Sequence, residues 1–252
     1  MPVSSETSGD RSERALQVDY HRRADLDHAA WQRDGPYFSE TEAALLAAVR
    51  CDAEEKLLEV GCGEGGNLWH LRDRAGARFG IDFSAAKARA AARQGGGALV
   101  ACADATRLPF ADETFDVTLV RDLLHHVPTR LDVLTQAYRV TKHGGRLHLF
   151  EPNARAPLAL LQAAAVRAER GVLRSTERRL RDELEATGWK HLELHHAQPF
   201  PIERVVLNPR FGLPSFGRFA PVRDALTAFS KLAERIVPEL AWLYLCFTAV
   251  KP

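Results

Sequence analysis

A short apolar run that ends in a glycine-rich turn constrains the fold of this chain more than any other feature. Residues 57–67 read LLEVGCGEGGN. A buried strand that enters glycines and then begins a helix allows backbone N–H groups to approach a ligand closely. The spacing of Gly61, Gly63 and Gly66 also matches the dinucleotide fingerprint. The glycines alone therefore do not distinguish a cofactor loop from a plain strand-to-helix turn.

Short apolar runs alternate with amphipathic stretches after residue 55, which predicts βαβ units around a parallel sheet. The predicted strands are KLLEV (56–60), ARFGI (77–81), ALVAC (98–102), FDVTLV (115–120) and RLHLF (146–150). Helices are predicted over 67–74, 84–93 and 130–142, with Gly144 and Gly145 ending the last of these. Beyond Pro152, the pattern predicts a helix over 175–186 and strands over 190–196 and 242–250.

The flanking segments predict one domain with two additions. Residues 1–14 are mostly small or polar and are predicted to be a disordered leader. We expect a single domain over 15–252, with a helical cap over 15–50 and a proline-containing lid or substrate-side insertion over 201–238. A chain of 252 residues is long enough for one sizeable core.

Composition excludes several classes of protein. The formal net charge of +1 gives no overall attraction to nucleic acid, and no nucleic-acid partner is expected. The four cysteines form no CxxC pair, which is typical of a reducing compartment. The leader lacks the apolar segment of a signal peptide, so a cytoplasmic location is expected. The oligomeric state stays open.

Polar residues follow three of the predicted strands. Asp82 lies at the end of the second strand, where a carboxylate accepts hydrogen bonds from ribose hydroxyls. Asp104 follows the third strand and could accept the amino group of an adenine. Arg121 and the pair His125 and His126 follow the fourth strand. Each Asp also has a plain structural interpretation, as a helix cap or as a turn residue.

Taken together, these motifs resemble the class I S-adenosylmethionine-dependent methyltransferases. The resemblance covers about Leu57 to Glu151 and rests on EVGCGEGGN, GIDFS, ADATRLPF, FDVTLVRDLLHHV and RVTKHGGRLHLFEPN, in that order. It implies an α/β fold with a doubly wound, mostly parallel seven-stranded sheet whose last strand is antiparallel. It also implies S-adenosylmethionine as the cofactor.

The resemblance assigns roles to individual residues. It places Glu59, Gly61, Cys62, Gly63 and Gly65 around the methionine part of the cofactor. Asp82 would hold the ribose and Phe83 would lie against the adenine face. Asp104 and Ala105 would meet the adenine edge, and Arg121 would contribute near the methionine end. Two alternatives stay open: an NAD-dependent oxidoreductase that uses the glycine loop, and a protein with this fold that binds without turnover.

Candidate catalytic residues are His125, His126 and Glu151. A general base is needed only when the acceptor is a hydroxyl or a carbon acid. The histidines could instead be scaffold residues, and Glu151 could cap local structure. Asn153 is a candidate orienting group. Tyr20, His21 and Tyr37 could close over the cofactor, although simple helix packing is favoured.

No metal site is expected. His191 and His195 have the HxxxH spacing, but the segment is predicted to be a strand, in which four residues span roughly 13 Å. The acceptor is expected to be a small molecule or lipid-like. The stretch 204–223 contains no acidic residue and mixes Arg204, Arg210, Arg218 and Arg223 with phenylalanines. It suits peripheral membrane contact. In the favoured interpretation, however, its phenylalanines pack on the core and its arginines face water.

Overall fold

A seven-stranded sheet forms the centre of the computed structural model, which describes residues 8–23, 35–207 and 213–252. The strands are β1 (Lys56–Val60), β2 (Ala77–Asp82), β3 (Leu99–Cys102), β4 (Phe115–Arg121), β5 (Thr141–Pro152), β6 (Lys190–Ala197) and β7 (Tyr244–Val250). Their order is β3-β2-β1-β4-β5-β7-β6. Strand β7 runs antiparallel to both of its neighbours, and the pairs from β3 through β5 are parallel. This is the predicted sheet, including its antiparallel last strand.

Helices cover the sheet and its edges. The α-helices are α1 (Ser8–Arg23), α2 (Pro36–Leu46), α3 (Gly66–His70), α4 (Ala85–Gln94), α5 (Arg130–Val140), α6 (Pro157–Ala165), α7 (Glu177–Ala186), α8 (Glu203–Val206) and α9 (Ala220–Ile236). Short 3-10 turns lie at Leu124–His126, Arg167–Arg174, Pro214–Arg218 and Glu239–Ala241.

The predicted strands form because their apolar runs are buried on both faces of the sheet. In β1 every residue after Lys56 is buried, as is nearly every residue of β4. One apolar cluster lies on the face that contains Leu57, Leu119 and Phe150, and a second lies on the face that contains Leu58 and Trp189. Burial on both sides produces a continuous apolar run rather than an alternating one. The sequence signal was therefore strong at these positions.

Three predicted boundaries were wrong. Residues 8–14, predicted to be disordered, belong to α1, which continues through Gln17, buried against the 3-10 turn at Ala168. The helix predicted over 67–74 ends at His70. The helix predicted over 130–142 ends at Val140, because Thr141 pairs with Phe115 and begins β5. The two glycines that were expected to end that helix lie within β5 instead.

The insertion between β6 and β7 packs on α2. Tyr37 and Phe38 of α2 form an apolar cluster with Leu207 and Leu226. Phe216 and Phe219 are 44% and 53% exposed, so the interpretation that the phenylalanines pack on the core was wrong for these two. Arg210 and Phe211 lie outside the described residues. In the part of the chain that the structure describes, no helix combines the length and the apolar character needed to cross a bilayer.

Candidate cofactor and acceptor site

The glycine turn is held against the second strand by its own backbone. The N–H groups of Gly61 and Cys62 both donate to the carbonyl of Ile81, each at 2.8 Å. Gly65 has a φ of +85°, and a Cβ there would lie 3.0 Å from the Cα of Ala91. Gly63 has a φ of +53°, yet a Cβ there would meet no atom within 4 Å. A side chain therefore has no room at Gly65, whereas the space next to Gly63 is open.

Asp82 joins the tips of β1 and β2. Its Oδ2 accepts the N–H of Gly63 at 2.9 Å, and its Oδ1 accepts the N–H of Ser84 at 2.8 Å. Burial raises the pKa of this carboxyl. Ser84 is the N-cap of α4, and its hydroxyl accepts the N–H of Lys87. The capping interpretation of Asp82 is therefore unnecessary, because another residue has that role.

Glu59 carries a buried carboxylate with one unpaired oxygen. The Nδ2 of Asn67 donates to its Oε1 at 2.6 Å. Its Oε2 has no hydrogen-bond partner among the described residues, although the residue is only 1% exposed. Burial raises the pKa of Glu59 to about 7. An unpaired buried carboxylate oxygen is costly unless a ligand satisfies it.

The predicted adenine-side residues follow neighbouring strands. Asp82 pairs in register with Cys102, so the residues after β2 and β3 leave the same edge of the sheet. Phe83 is exposed there, and Ala105 is buried. The Oδ1 of Asp104 accepts hydrogen bonds from the backbone N–H and the hydroxyl of Thr106, at 2.9 and 2.8 Å. The edge therefore combines an exposed aromatic ring with an ordered carboxylate.

Arg121 lies in a buried ionic network that sequence reasoning missed. Its Nη1 donates to Glu42 of α2 at 2.6 Å and to the Oδ1 of Asn67 at 2.9 Å. Arg204 of α8 reaches the other oxygen of Glu42 at 2.8 Å. Burial opposes the charge on Glu42, but Arg121 and Arg204 lower the pKa of Glu42 to about 2. Both the N-terminal cap and the insertion are thus fixed to the end of β4.

Glu151 organises the 3-10 turn that carries the histidine pair. Its Oε1 accepts the N–H groups of Leu123 and Leu124 at 2.8 and 2.7 Å, and its Oε2 lies 2.8 Å from the Nδ1 of His125. Glu151 is fully buried. Asn153, the candidate orienting group, donates to the carbonyls of Leu240 and Trp242 instead.

Two further segments meet the histidine pair. The Nε2 of His125 lies 3.6 Å from the Oε2 of Glu169, whose Oε1 accepts the hydroxyl of Tyr20 at 3.0 Å. The Nδ1 of His126 lies 3.0 Å from the Oε1 of Gln17. Burial opposes the charge on His125, but Glu151 and Glu169 raise its pKa to about 10. Sequence reasoning did not find Glu169 or Gln17, which lie outside every quoted motif.

Comparison with known proteins gives a consistent answer. Residues 58–149 match a family model described as a methyltransferase domain. With this match, the motif order and the seven-stranded sheet point to one family. Residues 58–149 therefore match a methyltransferase domain, as the resemblance to the class I S-adenosylmethionine-dependent methyltransferases predicted.

The relatives of this chain match it over the same core. Demethylmenaquinone methyltransferase of Thermobifida fusca is 35% identical over 113 residues, which are 43% of this chain and 48% of that protein. The 27-O-demethylrifamycin SV methyltransferase of Amycolatopsis mediterranei is 31% identical over 135 residues, 49% of this chain and 50% of that protein. The chain thus spans about half the length of these relatives.

The fold likeness covers more of the chain. A solved S-adenosylmethionine-dependent methyltransferase of Thermotoga maritima superimposes with a TM-score of 0.67 at 17% identity. The superposition covers 94% of this chain and 100% of that one. At this identity the likeness concerns the fold alone, which includes the flanks that the family model does not match.

The residues around the glycine turn are chemically suited to S-adenosylmethionine. The cofactor's methionine part carries an ammonium group, which suits the unpaired Oε2 of Glu59. The open space in front of Gly63 leaves room for a ligand to approach the backbone. Asp82 has both oxygens at the edge where the ribose carboxylate was predicted.

The remaining candidates have structural surroundings. Tyr37 is buried in the cluster between α2 and α9, as the packing interpretation expects. Tyr20 bonds Glu169, and the side chain of His21 lies outside the described residues. His191 and His195 lie on strand β6, as predicted.

Proposed function

We propose that this methyltransferase moves a methyl group from S-adenosylmethionine to a small organic or lipid-like acceptor. The observation that carries the proposal is the unpaired carboxylate oxygen of Glu59 beside a glycine turn that is open in front of Gly63. A structural turn has no need of such an oxygen. A ligand that combines an ammonium group with an adenosyl group supplies a partner for it.

The cofactor-side residues divide the ligand between them in this proposal. Glu59 and the turn Gly61, Cys62, Gly63 and Gly65 hold the methionine part. Asp82 receives the ribose hydroxyls, and Phe83 covers the adenine. Asp104 and Ala105 meet the adenine edge. Arg121 supports the site indirectly, because its guanidinium already donates to Glu42 and Asn67.

When bound, the cofactor supplies a methyl group on a positively charged sulfur, which is an excellent leaving group. The protein then contributes mainly by positioning the acceptor. In this proposal the partly exposed His126 contacts the acceptor, and His125 lies behind it. Glu151 is a positioning residue, because its carboxylate accepts the N–H groups of Leu123 and Leu124 and contacts the ring of His125.

Two observations support an acceptor that is a small organic molecule. The matching relatives are named for demethylmenaquinone and for a demethylated rifamycin, both of which are small molecules. The surface around Phe216 and Phe219 is apolar and carries Arg218 and Arg223, which supports contact with a lipid-like acceptor or a membrane surface. We place the reaction in the cytoplasm, because the four cysteines remain unpaired thiols.

Isothermal titration calorimetry with S-adenosylhomocysteine and NADH tests the cofactor half of the proposal. We expect uptake of S-adenosylhomocysteine alone, and weaker uptake by Asp82→Asn. Asp112→Asn is the matched control, because that carboxylate is exposed and pairs only with Arg139 among the described residues. Uptake of NADH alone would overturn the proposal in favour of an oxidoreductase.

An acceptor screen with a labelled methyl donor tests the reaction itself. Quinols, phenols and polyketide hydroxyl compounds form the panel, and we expect label in at least one product. Binding of S-adenosylhomocysteine combined with no transfer to any acceptor would support the alternative of a protein that binds without turnover.

A further inference from the structure

His125, His126 and Glu169 form a compact cluster outside the cofactor turn. Each offers one ligand atom, and these three atoms all lie within 4.8 Å of one another. The ligand atoms around a tetrahedral zinc ion lie about 3.3 Å apart, given metal–ligand distances of about 2.0–2.2 Å. The 3.6 Å between the Nε2 of His125 and the Oε2 of Glu169 is already close to this spacing.

We propose that these three residues bind a divalent transition-metal ion of the zinc class. Two imidazoles and one carboxylate are a ligand set that zinc accepts in catalytic sites. Such sites keep a fourth position open for water or a substrate oxygen. This inference goes beyond methyl transfer, because it assigns the chain a metal that the transfer itself does not need.

The orientation of His125 supports the proposal. Its Nδ1 lies 2.8 Å from Glu151 and its Nε2 faces Glu169, so an ion bound at Nε2 would displace the proton there and leave Nδ1 donating to Glu151. Metal-binding histidines commonly donate their second ring nitrogen to a carboxylate in this way. Glu151 is fixed in turn by two backbone N–H groups. The ring is therefore held in the orientation that a metal ligand requires.

The other two proposed ligands, Glu169 and His126, are also held in place by hydrogen bonds. The hydroxyl of Tyr20 donates to the Oε1 of Glu169 at 3.0 Å, and it is the Oε2 of Glu169 that lies near His125. Gln17 contacts His126 through its Oε1 and the carbonyl of Ala168 through its Nε2. Helix α1 therefore orients both ligands that come from other segments.

The charges of the cluster also favour a dication. Glu151 and Glu169 are both buried and lie on opposite sides of one imidazole ring. Two buried carboxylates are unfavourable unless positive charge lies between them. The buried Arg130 already contributes positive charge near Glu151, and an ion of charge +2 adds positive charge on the side of Glu169.

Zinc uptake by the metal-free chain tests the proposal. The full chain is treated with a chelator, dialysed and titrated with ZnCl2 by calorimetry in the presence of a competing chelator. We expect one ion per chain and a rise in melting temperature with zinc. Replacing zinc with Co2+ should give the visible absorption of a tetrahedral ion. Absence of uptake by folded chain at neutral pH overturns the proposal.

Two variants locate the ion. Glu169→Gln and His126→Asn should each weaken zinc binding by about tenfold or more. His126→Asn is the second variant because this residue is only partly buried, so the fold should tolerate its replacement. His143→Asn and Glu193→Gln are matched controls at exposed positions. Unchanged affinity in folded samples of both site variants would show binding elsewhere and would overturn the proposal. Uptake of S-adenosylhomocysteine is measured in parallel, so that failure of the metal site and failure of the proposed function are distinguishable.

Discussion

Cofactor-product binding should depend on pH through Glu59. Burial disfavours the charge on this carboxyl and raises its pKa to about 7. An ammonium group beside Oε2 binds only the charged form. At lower pH, ligand binding must also remove the proton from Glu59. The free energy of binding therefore becomes less favourable by the cost of that deprotonation. We expect the affinity for S-adenosylhomocysteine to rise as the pH rises through 7.

The size of the effect follows from that pKa. At about pH 8 nearly all of the Glu59 carboxyl is already charged, whereas at about pH 6 only about one molecule in eleven is. The dissociation constant should therefore be about tenfold larger at the lower pH, which corresponds to about 1.4 kcal/mol. The neighbouring Asn67 donates to the other carboxylate oxygen, Oε1.

Calorimetric titrations across this pH range measure the effect, with Glu59→Gln as the decisive variant. The glutamine has nearly the same shape and does not titrate, so its affinity should be lower and should change little with pH. Asp112→Asn should retain the wild-type pH dependence. The reasoning is refuted if the glutamine variant shows the same tenfold change, because another group then controls binding.

Two other perturbations probe the turn and the ionic network. Gly63→Ala should weaken S-adenosylhomocysteine binding, because the new methyl group would occupy the space proposed for the ligand. The stability cost should be only about 1–2 kcal/mol, since the methyl group meets no protein atom within 4 Å and only the positive φ is unfavourable. Equal affinity would show that no ligand occupies this space. Glu42→Gln removes the carboxylate that the buried Arg121 and Arg204 share and leaves Asp122 as the nearby counter-charge, so urea unfolding should show a loss of about 3 kcal/mol. Because Glu42 has a lowered pKa of about 2, its contribution is present above about pH 4.5 and falls as the pH drops toward 2, a loss that the variant should not show.

The sequence was sufficient where burial or backbone chemistry leaves a local pattern. Strands β1 and β4 are buried on both faces and therefore appear as continuous apolar runs. Asp82 was recognisable because it directly follows such a strand. The turn around Gly63 was recognisable because a positive φ favours glycine. These parts of the site depend on neighbours that are close in the chain.

The sequence was insufficient where distant residues meet. Glu42 and Arg204 are 162 positions apart, and Tyr20 and Glu169 are 149 apart. Neither pair belongs to a periodic pattern or a spaced motif. The start of β5 was missed for a similar reason, because Thr141 leaves the helix only when Phe115 offers a strand to pair with. Tertiary contacts decide these features.

The two halves of the site differ in how the chain builds them. Every residue proposed to hold the cofactor lies between Glu59 and Arg121, whereas the groups around the histidine pair come from α1, the end of β5 and the turn at Arg167–Arg174. A designer who keeps the contacts of Glu42 and Arg204 with Arg121 could therefore exchange the rest of the flanking segments and leave donor affinity intact. Proteins of this kind would then acquire new substrates by exchanging their flanking segments, while the residues that bind the nucleoside stay the same.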